Sequence, residues 1–178
     1  MALMPIITAP DPRLKKVSHP VEYVDDGVRR LMDDMLQTMY AAPGVGLAAP
    51  QVGVLKRVIV VDVARADGKP QPIRLANPQI VDASDELSAF EEGCLSLPEH
   101  FAEVKRPDMV RISYLDYENK ICERDMDGFL AKCIQHEIDH LDGVLFVDHI
   151  SGLKRSMIMR KLTKLKKIRA DSRAKAGV

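Results

Sequence analysis

Gln135-His136-Glu137-Ile138-Asp139-His140-Leu141-Asp142-Gly143 carries the pattern HExxH within a segment of helical character. Two histidines at i and i+4 lie one turn apart on one helix face, so both imidazoles can reach a single cation. Glu137 stands beside them, placed to take a proton from water held by that cation without ligating it. Ile134, Ile138 and Leu141 fall on another face and suit a core. A solvent-facing polar stripe is the alternative reading, and it leaves the spacing unexplained. The helix is expected from about Phe129 to Leu141, stopping near Gly143, where glycine suits a left-handed cap.

A catalytic site of this kind needs a third protein ligand and an open position for water. The extended peptidase pattern HExxHxxGxxH fits as far as Gly143, but its last histidine would fall at Phe146. A downstream glutamate is the other common solution, and no Glu follows Glu137. The third ligand therefore comes from upstream or from a lone Asp148 or His149. Cys94, in Glu92-Gly93-Cys94-Leu95-Ser96, is the upstream candidate, because a thiolate is a good ligand for zinc or ferrous iron. Gly44-Val45-Gly46-Leu47-Ala48-Ala49-Pro50-Gln51 reads as a loop of small residues. Its glycines would let an extended ligand reach backbone groups, with the Gln51 amide as a neutral donor.

The flanking sequence predicts an α+β fold: short, mostly antiparallel sheets around a central helix carrying HExxH, with an amphipathic N-terminal helix and a basic C-terminal one. Val28, Leu31, Met32, Met35, Leu36, Met39 and Tyr40 recur at helical spacing. Strands are expected at Arg57 to Val63, Ile73 to Ala76, Ile80 to Val81, Met109 to Leu115 and Ile121 to Met126, with a turn at Ala66-Asp67-Gly68-Lys69-Pro70. The opening segment, with Pro5, Pro10 and Pro12, reads as extended chain laid along the body.

The 178 residues, 46% hydrophobic and 29% charged, suit one globular domain over 1–178 rather than a disordered chain. Aromatics at 4%, with no Trp, argue against a stacking platform for sugars or nucleic acid bases. No apolar run approaches the roughly 20 residues that span a bilayer, and no secretory leader pattern is visible. Three cysteines without a CxxC pair suit a reducing cytoplasm. The zero net charge hides an asymmetry, since residues 153–178 hold 10 basic side chains and one acid, leaving 16 basic and 25 acidic before them. That tail is either a solvated helix or a contact for a polyanion.

Taken together and in this order, Gly44 to Gln51, Glu92 to Ser96 and Gln135 to Gly143 resemble the GxGxAAxQ, EGCxS and QHExDHxxG motifs of the peptide deformylase family. Pro10-Asp11-Pro12-Arg13-Leu14 and the length are also similar, and the tail resembles that of the bacterial class with a C-terminal helix. The resemblance implies removal of formyl from the N-terminal formylmethionine of nascent chains, releasing formate. It implies that Cys94, His136 and His140 hold one divalent metal, Fe2+ by expectation, with Zn2+, Ni2+ or Co2+ as substitutes. Attack by metal-bound hydroxide, with Glu137 as general base and then acid, follows from it. The Gln51 amide and the Leu95 N–H would stabilise the oxyanion. Val45, Phe129 and Cys133 become candidates for the methionine slot, and backbone near Gly46 and Gly93 for walls too tight for acetyl. A buried Glu92 would need a cation, for which Arg106 is the candidate. The expected partners are formylmethionyl peptides and the ribosome near its tunnel exit, met by the basic helix of a cytoplasmic monomer. A metallopeptidase and a structural zinc module are the rival readings.

Overall fold

The computed structural model describes residues 2–64 and 68–175, with side chains as far as 168. The first helix, α1 (Asp26–Ala41), begins where the Asp25 carboxylate accepts a hydrogen bond from the Val28 N–H at 2.7 Å. Such a cap satisfies a backbone donor that the first turn leaves free. Val28, Met32, Met35, Leu36 and Met39 form its buried stripe. The second helix, α2 (Gly128–Leu141), carries HExxH, and the third, α3, runs over Gly152–Lys175.

Between α1 and α2 lies a five-stranded antiparallel sheet. Its strands are β1 (Gly46–Ala48), β2 (Val58–Val61), β3 (Ile73–Ala83), β6 (Met109–Leu115) and β7 (Ile121–Asp127), adjacent in that order. Alternation along β2 explains the layering. Val58 and Val60 pack into the α1 cluster, whereas Ile59 and Val61 join Ile134, Ile138 and Leu141 of α2. A strand buried on both faces is continuously apolar, as Val58-Ile59-Val60-Val61 is.

The second sheet is a hairpin, β4 (Leu87–Cys94) and β5 (Leu97–Pro107), which the sequence reading did not anticipate. Leu97 and Val104 of β5 pack with Leu14, Leu145, Phe146, Val147 and Leu162 in a third cluster. The opening segment runs between layers, Ile7 N–H donating to the Gln51 carbonyl and Ala9 N–H to that of Ser96, both at 2.8 Å. Other elements differ in extent from their sequence reading. Ile73 to Ala76 and Ile80 to Val81 belong to one strand, β3, whose register shifts between Ala76 and Gln79. Asn77 in that step has a φ of +50°, and its side-chain amide brackets the Val21 backbone at 2.9 and 2.7 Å. Gly44 to Gln51 is more than a loop, since it contains β1 and then a 3-10 turn, Ala49–Val52. Of the apolar tail positions, Leu162 is buried and Ile158 half-buried, while Leu165 and Ile168 are exposed. The Ala66-Asp67 part of the expected turn lies outside the described residues. Among the described residues no helix is long and apolar enough to cross a membrane.

Gly143 closes α2 at a φ of +71°, and a Cβ there would meet the Lys15 carbonyl oxygen at 2.6 Å. Both the left-handed backbone and the close approach require glycine. Gly143→Ala is therefore expected to lower the unfolding free energy by about 1–3 kcal/mol, measured by urea titration.

Candidate active site

One face of α2 is reserved for chemistry. Phe129, Lys132, Cys133, His136 and Glu137 recur at helical spacing and line a cleft of about 490 Å3, while Ala131, Ile134, Ile138 and Leu141 pack against the sheet. The β4–β5 hairpin supplies the opposite wall with Phe90, Gly93, Cys94, Leu95 and Phe101. β1 and its flanks close the third side through Val45, Gly46 and Gln51. His140, one turn beyond His136, lies deeper and is fully buried.

Cys94 Sγ, His136 and His140 converge, with one ligand atom from each lying within 4.8 Å of the others. Cys94 Sγ is 3.2 Å from His140 Nε2. His136 Nδ1 is engaged with Glu92 Oε2 at 2.8 Å, which leaves Nε2 for the cluster. A borderline-soft cation takes a thiolate and two imidazoles readily, and ligands at tetrahedral angles around zinc stand roughly 3.5 Å apart. Burial holds His140 well below its ordinary pKa, in the neutral form that ligates. The donor set therefore fits a single divalent metal.

Surrounding polar groups hold His136 and reach Cys94, while His140 Nδ1 is buried without a hydrogen-bond partner. Glu92 is buried, and burial alone would raise its pKa, but hydrogen bonds from His136 and Arg106 bring it down to about 2. Arg106 grips both Glu92 oxygens through Nε and Nη2, at 2.5 and 3.0 Å, so the pair expected from sequence forms. Its Nη1 reaches Asp139 Oδ2 at 2.9 Å, and His149 Nε2 meets the same oxygen at 2.7 Å. Gln51 is held at both ends of its amide. Its Oε1 accepts from the Ala48 N–H at 2.8 Å, while Nε2 donates to Ser96 Oγ at 3.1 Å and stands 3.5 Å from Cys94 Sγ. Leu95 begins the two-residue turn between the hairpin strands.

Glu137 is likewise incompletely paired. It is buried, its Oε2 has no hydrogen-bond partner, and burial pushes its pKa up to about 7. A Cβ at Gly46 would fall 2.3 Å from its Oε1 and 2.9 Å from Cys133 Sγ, so only glycine fits against this carboxylate. A carboxyl that takes up and releases a proton near neutrality suits general acid and base work.

Of the site residues singled out from the sequence, Val45, Gly46, Gln51, Gly93, Cys94, Leu95, Phe129, Cys133, His136 and Glu137 line the cleft and His140 joins the ligand cluster behind it, whereas the alternative ligands Asp148 and His149 lie outside both. Sequence reasoning missed Ser96 as the acceptor for Gln51, Asp139 as the second anion on Arg106, and Lys132 and Phe90 as lining, whereas the resemblance puts His100 to Glu103, and so Phe101, near the pocket entrance. Asp139 carried a signal, since it sits inside HExxH. Lys132 lies on α2 one turn before His136, whereas Ser96 and Phe90 belong to a hairpin with no apolar alternation to mark it.

Likeness to known proteins agrees with this geometry. A family described as polypeptide deformylase matches residues 3–156. The peptide deformylase of Methylocella silvestris is 56% identical over 179 residues, covering 99% of this chain and 91% of its own. That of Phenylobacterium zucineum is 56% identical over 164 residues, covering 92% and 97%. Among solved structures, the peptide deformylase of Ehrlichia chaffeensis superposes with a TM-score of 0.89 at 42% identity, over 95% of this chain and 99% of that one. A structure of the Ehrlichia chaffeensis enzyme in complex with actinonin gives 0.87 at 44%, over 92% and 98%. With sequence, fold and the order of the site-bearing segments all in agreement, the chain belongs to the polypeptide deformylase family.

Proposed function

We propose that this chain, as a peptide deformylase, hydrolyses the formyl amide of N-terminal formylmethionine with Glu137 as its proton carrier. The unpaired, buried Oε2 of Glu137 beside the Cys94, His136 and His140 cluster carries the reading. A divalent metal held by those three residues, Fe2+ in this reading with Zn2+, Ni2+ or Co2+ as substitutes, supplies Lewis-acid activation of water and of the carbonyl.

The chain's own groups do the rest. Glu137 accepts a proton from the attacking water and returns it to the leaving amine, so that formate and a free N-terminal methionine result. As the formyl carbon becomes tetrahedral, Gln51 Nε2 and the Leu95 N–H donate to its developing oxyanion. The Ala48 N–H and Ser96 Oγ fix the Gln51 amide, and its second Nε2 hydrogen, now directed at Cys94 Sγ, is the one it gives to the oxyanion. Loss of one such donor typically removes about 2.7–4 kcal/mol of transition-state stabilisation. Val45, Phe129 and Cys133 receive the methionine side chain. Backbone at Gly46 and Gly93 holds the walls close enough to exclude the extra methyl of an acetyl group. Contacts of 2.3 Å and 2.5 Å for a Cβ at those two glycines support such closeness.

The same reading covers a cytoplasmic monomer whose α3 meets the ribosome near its tunnel exit. Lys161, Lys164, Lys166 and Lys167 are exposed on that helix, which gives it a basic surface for phosphate.

Glu137→Gln is expected to keep full metal content by elemental analysis while formate release falls at least about a thousandfold, since an amide cannot take the proton. Cys94→Ser should instead be isolated with most of its metal gone, because a neutral alcohol is a poor ligand for a borderline-soft cation. Reversing Lys161, Lys164, Lys166 and Lys167 to Glu leaves Leu162 in place. Ribosome affinity, measured by co-sedimentation across a salt series, should fall at least about tenfold and lose much of its salt dependence, with turnover of short formyl peptides retained.

A further inference from the structure

Lys132 is a cation in the wall of a mostly apolar cleft. It lies one turn after Phe129 and one turn before His136 on α2, and its whole residue is only 6% exposed. A buried ammonium is unfavourable unless it finds a partner. Nζ donates to Asp108 Oδ1 at 2.6 Å and has the Gly128 carbonyl at 3.5 Å. Asp108 sits between β5 and β6, and the same Oδ1 accepts from Ser88 Oγ at 2.6 Å. Neither Asp108 nor Ser88 lines the cleft, although Lys132 does. The charged end of Lys132 is thus drawn toward a group outside the cleft, which leaves its methylene stem to line the cleft along with Phe129 and Cys133. Long cationic side chains commonly divide their stem and head between such environments. The two hydrogen bonds also hold the Asp108 carboxyl below its ordinary pKa, as an anion at neutral pH.

We infer that Asp108 is a specificity-determining positioning residue: by anchoring the Lys132 ammonium outside the cleft, it makes the Lys132 stem an apolar wall for the side chain of the substrate's first residue. This rests on the function proposed above. The Asp108 side chain is itself 42% exposed, so removing it leaves a cation free to turn either outward to water or inward, and only the inward turn brings it against substrate in the cleft. There it opposes an apolar methionine side chain and pairs with an acidic one. Methionine and glutamate have side chains of similar length, so the two report charge rather than size.

The test is a double-mutant cycle on the metal-loaded enzyme, using formylmethionyl and formylglutamyl tripeptides and following formate. Asp108→Ala should raise KM for the formylmethionyl peptide at least about fivefold with kcat within about twofold. It should also shift the kcat/KM ratio toward the formylglutamyl peptide at least about tenfold, since a desolvated charge pair discriminates more than one methylene does. In a Lys132→Met background, which keeps an unbranched stem without the charge, the same Asp108 change should move KM and the ratio less than about twofold. An Asp108 that merely tethers the hairpin through Ser88 would give equal losses in both backgrounds, and that result overturns the inference. An unchanged substrate ratio in Asp108→Ala overturns it as well. A parent enzyme that releases no formate from the formylmethionyl peptide sinks the proposed function and this inference together, whereas an active parent with a flat cycle sinks the inference alone.

Discussion

The hydrogen bond between His136 Nδ1 and the Glu92 carboxylate, at 2.8 Å, joins the two elements from which the site is made. Glu92 belongs to β4 and His136 to α2, and nothing in the chain's local geometry would otherwise set their separation. Cys94 follows Glu92 by two residues, so strand alternation directs both side chains toward the helix. His140 follows His136 by four, so helix periodicity does the same from the other side. A single anchored ring therefore brings three ligand atoms together. The carboxylate can serve only because Arg106 neutralises it, since an unpaired buried charge would be strongly destabilising.

Arg106 in turn is held from both elements, by Glu92 of the hairpin and by Asp139 of α2. The hairpin is thus tied to the helix by alternating charges: the His136 ring, the Glu92 anion, the Arg106 cation and the Asp139 anion, with His149 at the outer end. Phe146 lies against the remaining face of His136, with ring centroids 6.4 Å apart. Between a charge-assisted bond at Nδ1 and an aromatic ring on its face, the His136 imidazole is held in one orientation, with Nε2 toward the cluster. That is what a ligand requires before any cation arrives.

The sequence made parts of this plain and concealed others, for physical reasons. HExxH is legible because its spacing is local: a helix alone puts His136 and His140 on one face. α1 and β6 were legible because burial imposes a period, and Val58 to Val61 of β2 is apolar throughout because helices cover both sides. The β4–β5 hairpin gave no such signal. The buried side chains along its two strands are Glu92, Leu97, Val104 and Arg106, two of them charged, so apolar alternation never develops. The Asp108 anchor on Lys132 spans 24 residues of sequence, and no local rule connects the two. Cys94 could be named as a ligand from the resemblance, but its distance to His140 is a property of the assembled sheet and helix.

β1 was read as a loop because Gly46-Leu47-Ala48 has little strand propensity. The reason it is nevertheless a strand, and yet carries glycine, is the same contact. Glu137 stands so close that a methyl group at position 46 would press on its Oε1 and on Cys133 Sγ. Glycine weakens a strand by giving up side-chain packing and by its freedom in the unfolded chain. Here β1 is held by three register pairs to β2 and by the Asp62 N–H on the Val45 carbonyl at 2.8 Å, so the weakness is tolerated. The carboxylate it accommodates is itself unfavourable, buried and with one oxygen unpaired. Two local preferences are overridden at one contact, and both concessions leave a buried carboxyl facing the cleft beside the ligand cluster. In a chain whose other segments largely agree with their own propensities, such coincident violations mark where folding yields to chemistry.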